Sequence, residues 1–367
     1  MKKNINLTIG TEIDGQGGVQ SVFQVMQSYG FFIKTNNKFI ASHTDRRSVL
    51  GINKLFVFFL AVISVIYYCT AYKVGVAHFH MATRGSFTRK SILIRIANFF
   101  HAKIIIHLHA GRFSTFYCDE CSHLKQKRIK KTFNTASKVI VLSKAWKEFI
   151  DNVILEHHKS CIIYNSVPPF INTTKISKEL NILFLGKLDP DKGVADLISA
   201  FGRIAKDFPS TKLLLGGIGD TATYINQAES LGIIRQVVFL GWVSGKLKDK
   251  YLGKTAIYCL PSYYEGLPMG VLEAMAAEVT VVASAVGGIP DAIEDRKEGL
   301  LINAGDVLGL SNALTELLSD NALRLKYAAA AKLKYERYFS PNVVIPQLED
   351  LYSEILNIPE STPRADE

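Results

Sequence analysis

The feature that most constrains this chain is a repeated alternation of short apolar runs with stretches of helical spacing. The runs "NINLTIG", "NKFIAS", "VGVAHFH", "KIIIHLHA" and "SKVIVLS" come first, then "LNILFLG", "TKLLLGGIG", "QVVFLG", "AIYCLPS", "TVVAS" and "GLLI". They are nearly continuous in apolar residues instead of alternating with polar ones. Strands of that kind are buried on both faces, as in a parallel sheet with helices on either side. "GGVQSVFQVMQSYG", "RKSILIRIANFFHA" and "KQKRIKKTFNTA" supply the intervening helices. The alternation stops at "IIYNSVPPFINTTKISKEL", where Pro168 and Pro169 suit neither helix nor strand. A domain boundary is therefore placed near residue 172, giving α/β domains at 1–172 and 173–340. "SNALTELLSDNALRLKYAAAAKLKYERY" reads as helical, 341–357 as a last helix and 358–367 as a disordered tail. Two such domains predict a ligand cleft where the carboxyl ends of their sheets face each other.

Charge is distributed unevenly. Residues 1–172 hold 23 lysines and arginines against 8 acids, and the remainder 20 against 25. A basic half suggests a polyanionic partner, either nucleic acid or an anionic membrane surface. No nucleic-acid-binding module is recognisable, and the aromatics of this half are buried by pattern, so the membrane is favoured. Lys125 to Lys131 and Lys90 to Arg95 are the expected headgroup contacts, with Phe99 and Phe100 beside them. The apolar run from Leu55 to Ala71 falls just short of a membrane span and reads as a buried helix or one dipping a face into lipid. No secretory signal pattern opens the chain, so a cytoplasmic location is expected. Cys118 and Cys121 form a CxxC with no second pair near it, which reads as a surface loop and not a zinc site.

Two segments carry chemistry. "YYEGLPMGVLEAMAA" places Glu265 on a loop and Glu273 on the helix that Pro268 introduces. The first helical amides, at Met269 and Gly270, suit a diphosphate. Acids are poor partners for phosphate, so the two glutamates are read as acceptors for hydroxyls on either side of it, as in a sugar nucleotide. "FLGKLDPDKGVADL" offers Lys187 and Lys192 to neutralise a diphosphate leaving group. "GQGG" at 15–18 lacks the third glycine of a dinucleotide fingerprint, which argues against a nicotinamide enzyme.

Together these segments resemble the retaining GT-B glycosyltransferases with a Glu-x7-Glu motif (family 4, glycosyl transferases group 1). "GKLDPDKG" and "LPSYYEGLPMGVLEAMAA" carry the likeness, followed in the family's order by "VVASAVGGIPDAI" and "GLLINAGD". In the first half, "GGVQ", "HLHAGRF" and "IYNSVP" are similar to its glycine loop, histidine loop and linker. The resemblance implies two Rossmann-like domains, an acceptor domain at 1–172 and a donor domain at 173–340, with helix 341–357 packing back toward the first. Glu273 would hold the donor ribose and Glu265 the donor sugar. Lys187, Lys192 and the amides of Met269 and Gly270 would bind the diphosphate. Val243 would face the base, Gly18 would let the first loop approach the phosphates, and His109 would lie beside the reacting sugar. The implied reaction moves a hexose, with retention, from a nucleotide sugar (UDP- ahead of GDP-) to a glycan or polyprenyl-diphosphate-linked acceptor. A sugar phosphorylase or a non-catalytic binder is the alternative on the same fold. No cofactor and no metal are implied: Asp189 and Asp191 form the nearest acidic pair, and the lysines around them argue against a cation. Three positions depart from the pattern: Lys187 for Arg, Glu278 and Thr280 for Gly and Pro, and Ala110 for Gly.

Overall fold

The computed structural model describes residues 2–15, 17–44, 52–171 and 179–357, with 52 and 53 by their backbone. The predicted boundary residue 172 and the predicted tail 358–367 lie outside them. The chain divides into two units, Met1–Tyr164 with Pro341–Glu367, and Asn165–Ser340.

The first unit is built on strands β1 (Asn4–Gly10), β2 (Asn37–Ala41), β3 (Lys73–Met81), β4 (Lys103–Leu108), β5 (Lys138–Val141) and β6 (Ser160–Ile162), all parallel in the order β2-β1-β3-β4-β5-β6. Leu7, Ile9, Val76, Phe79, Ile104, Ile105, Ile106, Val139 and Ile140 are buried, as continuous apolar strands require when both faces are covered. The final helix, Pro341–Asn357, lies on this sheet, where Tyr352 bonds His78 of β3 and Asn37 of β2.

Helix Ile52–Ala71 is the exception to the pattern of burial. Ala61, Val65 and Cys69, four residues apart, face the core, whereas Leu55, Phe56, Phe59, Leu60, Ile63, Ile66 and Tyr67 are exposed. Its stretch Lys54–Ala71 has a mean hydropathy of 2.0 and is 17% buried, so length and composition are those of a membrane-crossing helix.

The second unit repeats the plan with β7 (Glu179–Leu185), β8 (Leu213–Gly216), β9 (Val237–Gly241), β10 (Thr255–Leu260), β11 (Thr280–Ser284) and β12 (Gly299–Ile302), parallel in the order β12-β11-β10-β7-β8-β9. Strand order reverses between β7 and β10, so the loops leaving their carboxyl ends diverge and open a crevice, the usual ligand position in such sheets. The helical reading of 311–338 is corrected: helices Val307–Ser319 and Asn321–Tyr338 are separated by Asp320, whose side chain accepts from the Leu323 amide (2.9 Å) and caps the second.

Candidate active site

The loops after β7 and β10 interlock. After β7, residues 186–193 end in a single turn, Pro190–Lys192, and helix Val194–Ile204 follows. Gly193 sits in the left-handed region (φ 66), where a Cβ would lie 2.1 Å from the Pro261 carbonyl oxygen, so the position needs glycine twice over. The Tyr263 amide donates to the Asp191 carbonyl (2.9 Å), tying the second loop to the first. This brings Lys192 Nζ to 2.6 Å from Glu265 Oε1 across 73 residues of chain. The Ser262 hydroxyl donates to the same carboxylate oxygen (2.8 Å), and Glu265 is buried. Asn165 donates to the Leu267 carbonyl (2.8 Å), and the Gly288 amide to that of Gly266 (2.5 Å). Glu265 is thus oriented by its own bonds and by anchors on the backbone that follows it.

Helix Met269–Ala276 begins at the far end of that loop, with Pro268 at its N-cap. The amides of Met269 and Gly270 have no intrahelical acceptor. Gly270 rests on Tyr258, where a Cβ would meet the phenol oxygen at 2.1 Å. That hydroxyl is buried and donates to the Leu185 carbonyl at the end of β7 (3.3 Å), so Tyr258 links the helix start to both strands of the crevice. One turn further, Glu273 pairs with Lys248 (2.5 Å) on helix Gly245–Lys254. Burial pushes the Glu273 carboxyl above its ordinary range, and the Lys248 ammonium pulls it back. Val243, buried just before that helix, lies by the end of β8: a Cβ on Gly216 would be 3.1 Å from its Cγ2. Lys187 is exposed on the rim of the first loop.

Gly18 and His109 belong to the first unit. Gly18 is the exposed first residue of helix Gly18–Ser28. His109 follows β4, and its amide donates to the Met81 carbonyl (2.9 Å). Its Nε2 is 2.8 Å from His80 Nδ1, and its ring stacks on His107 at 4.2 Å. Burial, and then the nearby Lys90 ammonium, push His109 down to about 3, so it is neutral at physiological pH. Lys90 is itself buried, donates to Ser86 (3.1 Å) and is pushed down to about 7.

Sequence reasoning placed Lys192, Glu265, Glu273 and the helix start in one region of the second unit. It missed Lys248, Ser262, Tyr258 and Asn165. Lys248 is one of several lysines in "SGKLKDK" and Ser262 one serine among many, so only the folded chain distinguishes them. Asn165 stood inside the quoted "IYNSVP" but had no partner to recommend it.

Parallel α/β units bind ligands at the switch point, where this one holds a Lys–Glu pair beside a helix N-terminus. Residues 170–334, within the second unit but for its first residues, match the family model of the glycosyl transferases group 1. A glycosyltransferase of uncharacterised specificity from Methanocaldococcus jannaschii is 30% identical over 251 residues, 64% of this chain and 64% of its own length. The phosphatidyl-myo-inositol mannosyltransferase of Mycobacterium leprae is 32% identical over 193 residues, 52% of this chain. The chain spans about half of that relative's length, 50%. Among solved structures, Anabaena HepE in complex with UDP and glucose superposes with a TM-score of 0.75 at 16% identity, over 96% of this chain and all of that one. The fold is accordingly that of the GT-B glycosyltransferases.

Proposed function

We propose that the protein is a retaining glycosyltransferase that moves a hexose from a nucleotide diphosphate sugar, UDP- ahead of GDP-, to a lipid-diphosphate-linked glycan. The observation that carries this reading is the Lys192–Glu265 pair, fixed at the switch point next to the free amides of Met269 and Gly270 and one turn from Glu273. In this reading Glu273 accepts from the ribose hydroxyls. The amides, Lys192 and Lys187 stabilise charge as it develops on the departing diphosphate, and Glu265 holds the donor sugar. Glu265 is already engaged by Lys192 and Ser262, which makes it a poor nucleophile. That favours attack on the face the diphosphate leaves, with the leaving phosphate taking the acceptor's proton. His109 of the first unit, neutral, is suited to accept or donate a hydrogen bond without adding charge. The lipid acceptor is supported by the exposed apolar helix Ile52–Ala71, by the basic helix His123–Asn134 and by a relative named for a phosphatidylinositol substrate. Such an enzyme would work on the cytoplasmic face of a bacterial membrane, in surface polysaccharide synthesis.

The test is nucleotide release from a panel of UDP- and GDP-sugars, with and without bacterial lipid extract. Release that depends on the extract is expected, with Lys192→Ala and Glu265→Gln each lowering kcat by roughly 10²–10³. Parent-level release from both variants, or sugar 1-phosphate formed from inorganic phosphate, would overturn the assignment.

A further inference from the structure

The first unit contains a group of imidazoles that the proposed reaction leaves largely unused. His78 and His80 stand two apart on β3 and so share a face of the sheet. His107 of β4 is the register partner of His80. All three are buried, and their ligating nitrogens all lie within 4.8 Å of one another. Four ring nitrogens, His78 Nε2, His80 Nε2 and both nitrogens of His107, are enclosed without a hydrogen-bond partner. Buried polar atoms are almost always satisfied, so a group of four calls for a ligand.

The surroundings fix which nitrogens are free. Asn37 Nδ2 donates to the Tyr352 hydroxyl (3.1 Å), and Thr8 donates to Asn37 Oδ1 (2.9 Å). His78 Nδ1, 3.1 Å from the same hydroxyl, is occupied, which leaves Nε2. His80 Nδ1 is occupied by His109 (2.8 Å), again leaving Nε2. Histidines that ligate a metal commonly hold their second nitrogen in this way.

We propose that His78, His80 and His107 bind a borderline transition-metal dication, Zn²⁺ foremost, with water or hydroxide as the fourth ligand. Three neutral imidazoles on an open tetrahedral position suit zinc. Zn–N distances of about 2.0–2.1 Å require the stacked rings to turn as well as to move inward. The ion would join β3 to β4 and, through Tyr352, to the final helix. Through His80 it would also hold the ring of His109. This metal is separate from the diphosphate site and does not rest on the proposed transfer reaction.

The experiment uses the full untagged chain, dialysed against metal-free buffer and reloaded with Zn²⁺ or Co²⁺. About one zinc per chain is expected by mass spectrometry, together with the intense visible bands of tetrahedral Co²⁺ and a zinc-dependent rise in Tm. His107→Asn and His78→Asn should each lower retained zinc at least tenfold, whereas His157→Asn, at an exposed position, should not. Zinc in the parent no higher than in His107→Asn, or Co²⁺ spectra of purely octahedral type, would show a metal-free imidazole stack and overturn the proposal. Should both variants fail to fold, X-ray absorption on the zinc-loaded parent decides: three imidazole ligands support the site, and any other set rejects it.

Discussion

Lys248 is a side chain no motif announces, yet it governs the charge on Glu273. Without it, burial acts unopposed and the Glu273 carboxyl rises further above its ordinary range. An ionised Glu273 is the form that accepts two ribose hydroxyls, so donor affinity should fall as pH drops through that raised value. In Lys248→Met this acid limb should move to higher pH, measurable by calorimetric titration of UDP at several pH values. Stability follows the same sign. A carboxyl whose folded pKa lies above the unfolded value of 4.5 contributes its full stability below 4.5 and loses it as pH rises through the folded pKa. Lys248→Met should therefore be less stable than the parent by roughly 1–3 kcal/mol at neutral pH, and the gap should narrow toward pH 4.5. An acid limb that stays in place would mean that Glu273 does not contact the nucleotide.

At the scale of elements, helix Met269–Ala276 shows what a departure from pattern costs. Its end is a Schellman turn: the Val279 amide bonds the Ala274 carbonyl (2.9 Å) and the Glu278 amide that of Met275 (3.1 Å). Glu278 occupies the left-handed position, with φ 55, where glycine is usual. Glu278→Gly should raise stability by about 1 kcal/mol in urea unfolding, with turnover unchanged; a loss of stability would mean the side chain makes a contact worth more than the strain. The missing glycine was legible in the sequence, and so were the long strands, because apolar runs buried on two faces leave a continuous signal. Strand β6 was not legible: at the sheet's edge its Ser160, Cys161 and Ile162 are half-buried, and nothing marks them off from a loop. The break at Asp320 was written as a capping acid inside a helical pattern, but length and alanine content hid it. In the site, loop residues next to strand ends could be read from order and spacing. Lys248 could not, because it is one of several lysines in its segment and only folding sets it on Glu273.

At the scale of the whole molecule, the basic half and the uncovered helix make one prediction. Each cation near an anionic surface contributes about 1 kcal/mol, and each inserted phenylalanine about 1.5–3 kcal/mol. The protein should float with phosphatidylglycerol vesicles at low salt, and Phe56→Asp with Phe59→Asp should leave it at the bottom of the gradient. A parent that sediments, or a double variant that floats as well, would remove the membrane from the account.

The final helix, Pro341–Asn357, belongs to the first unit although the whole second unit is translated before it. The segment 165–340 is continuous and can close while the ribosome is still working. The sheet that begins at Asn4 must wait, its His78 and Asn37 without Tyr352, until the last turns of chain emerge. Vectorial synthesis is therefore inverted here: the half made first is finished last, and a nascent chain stalled before residue 341 would hold one mature unit and one that is still open.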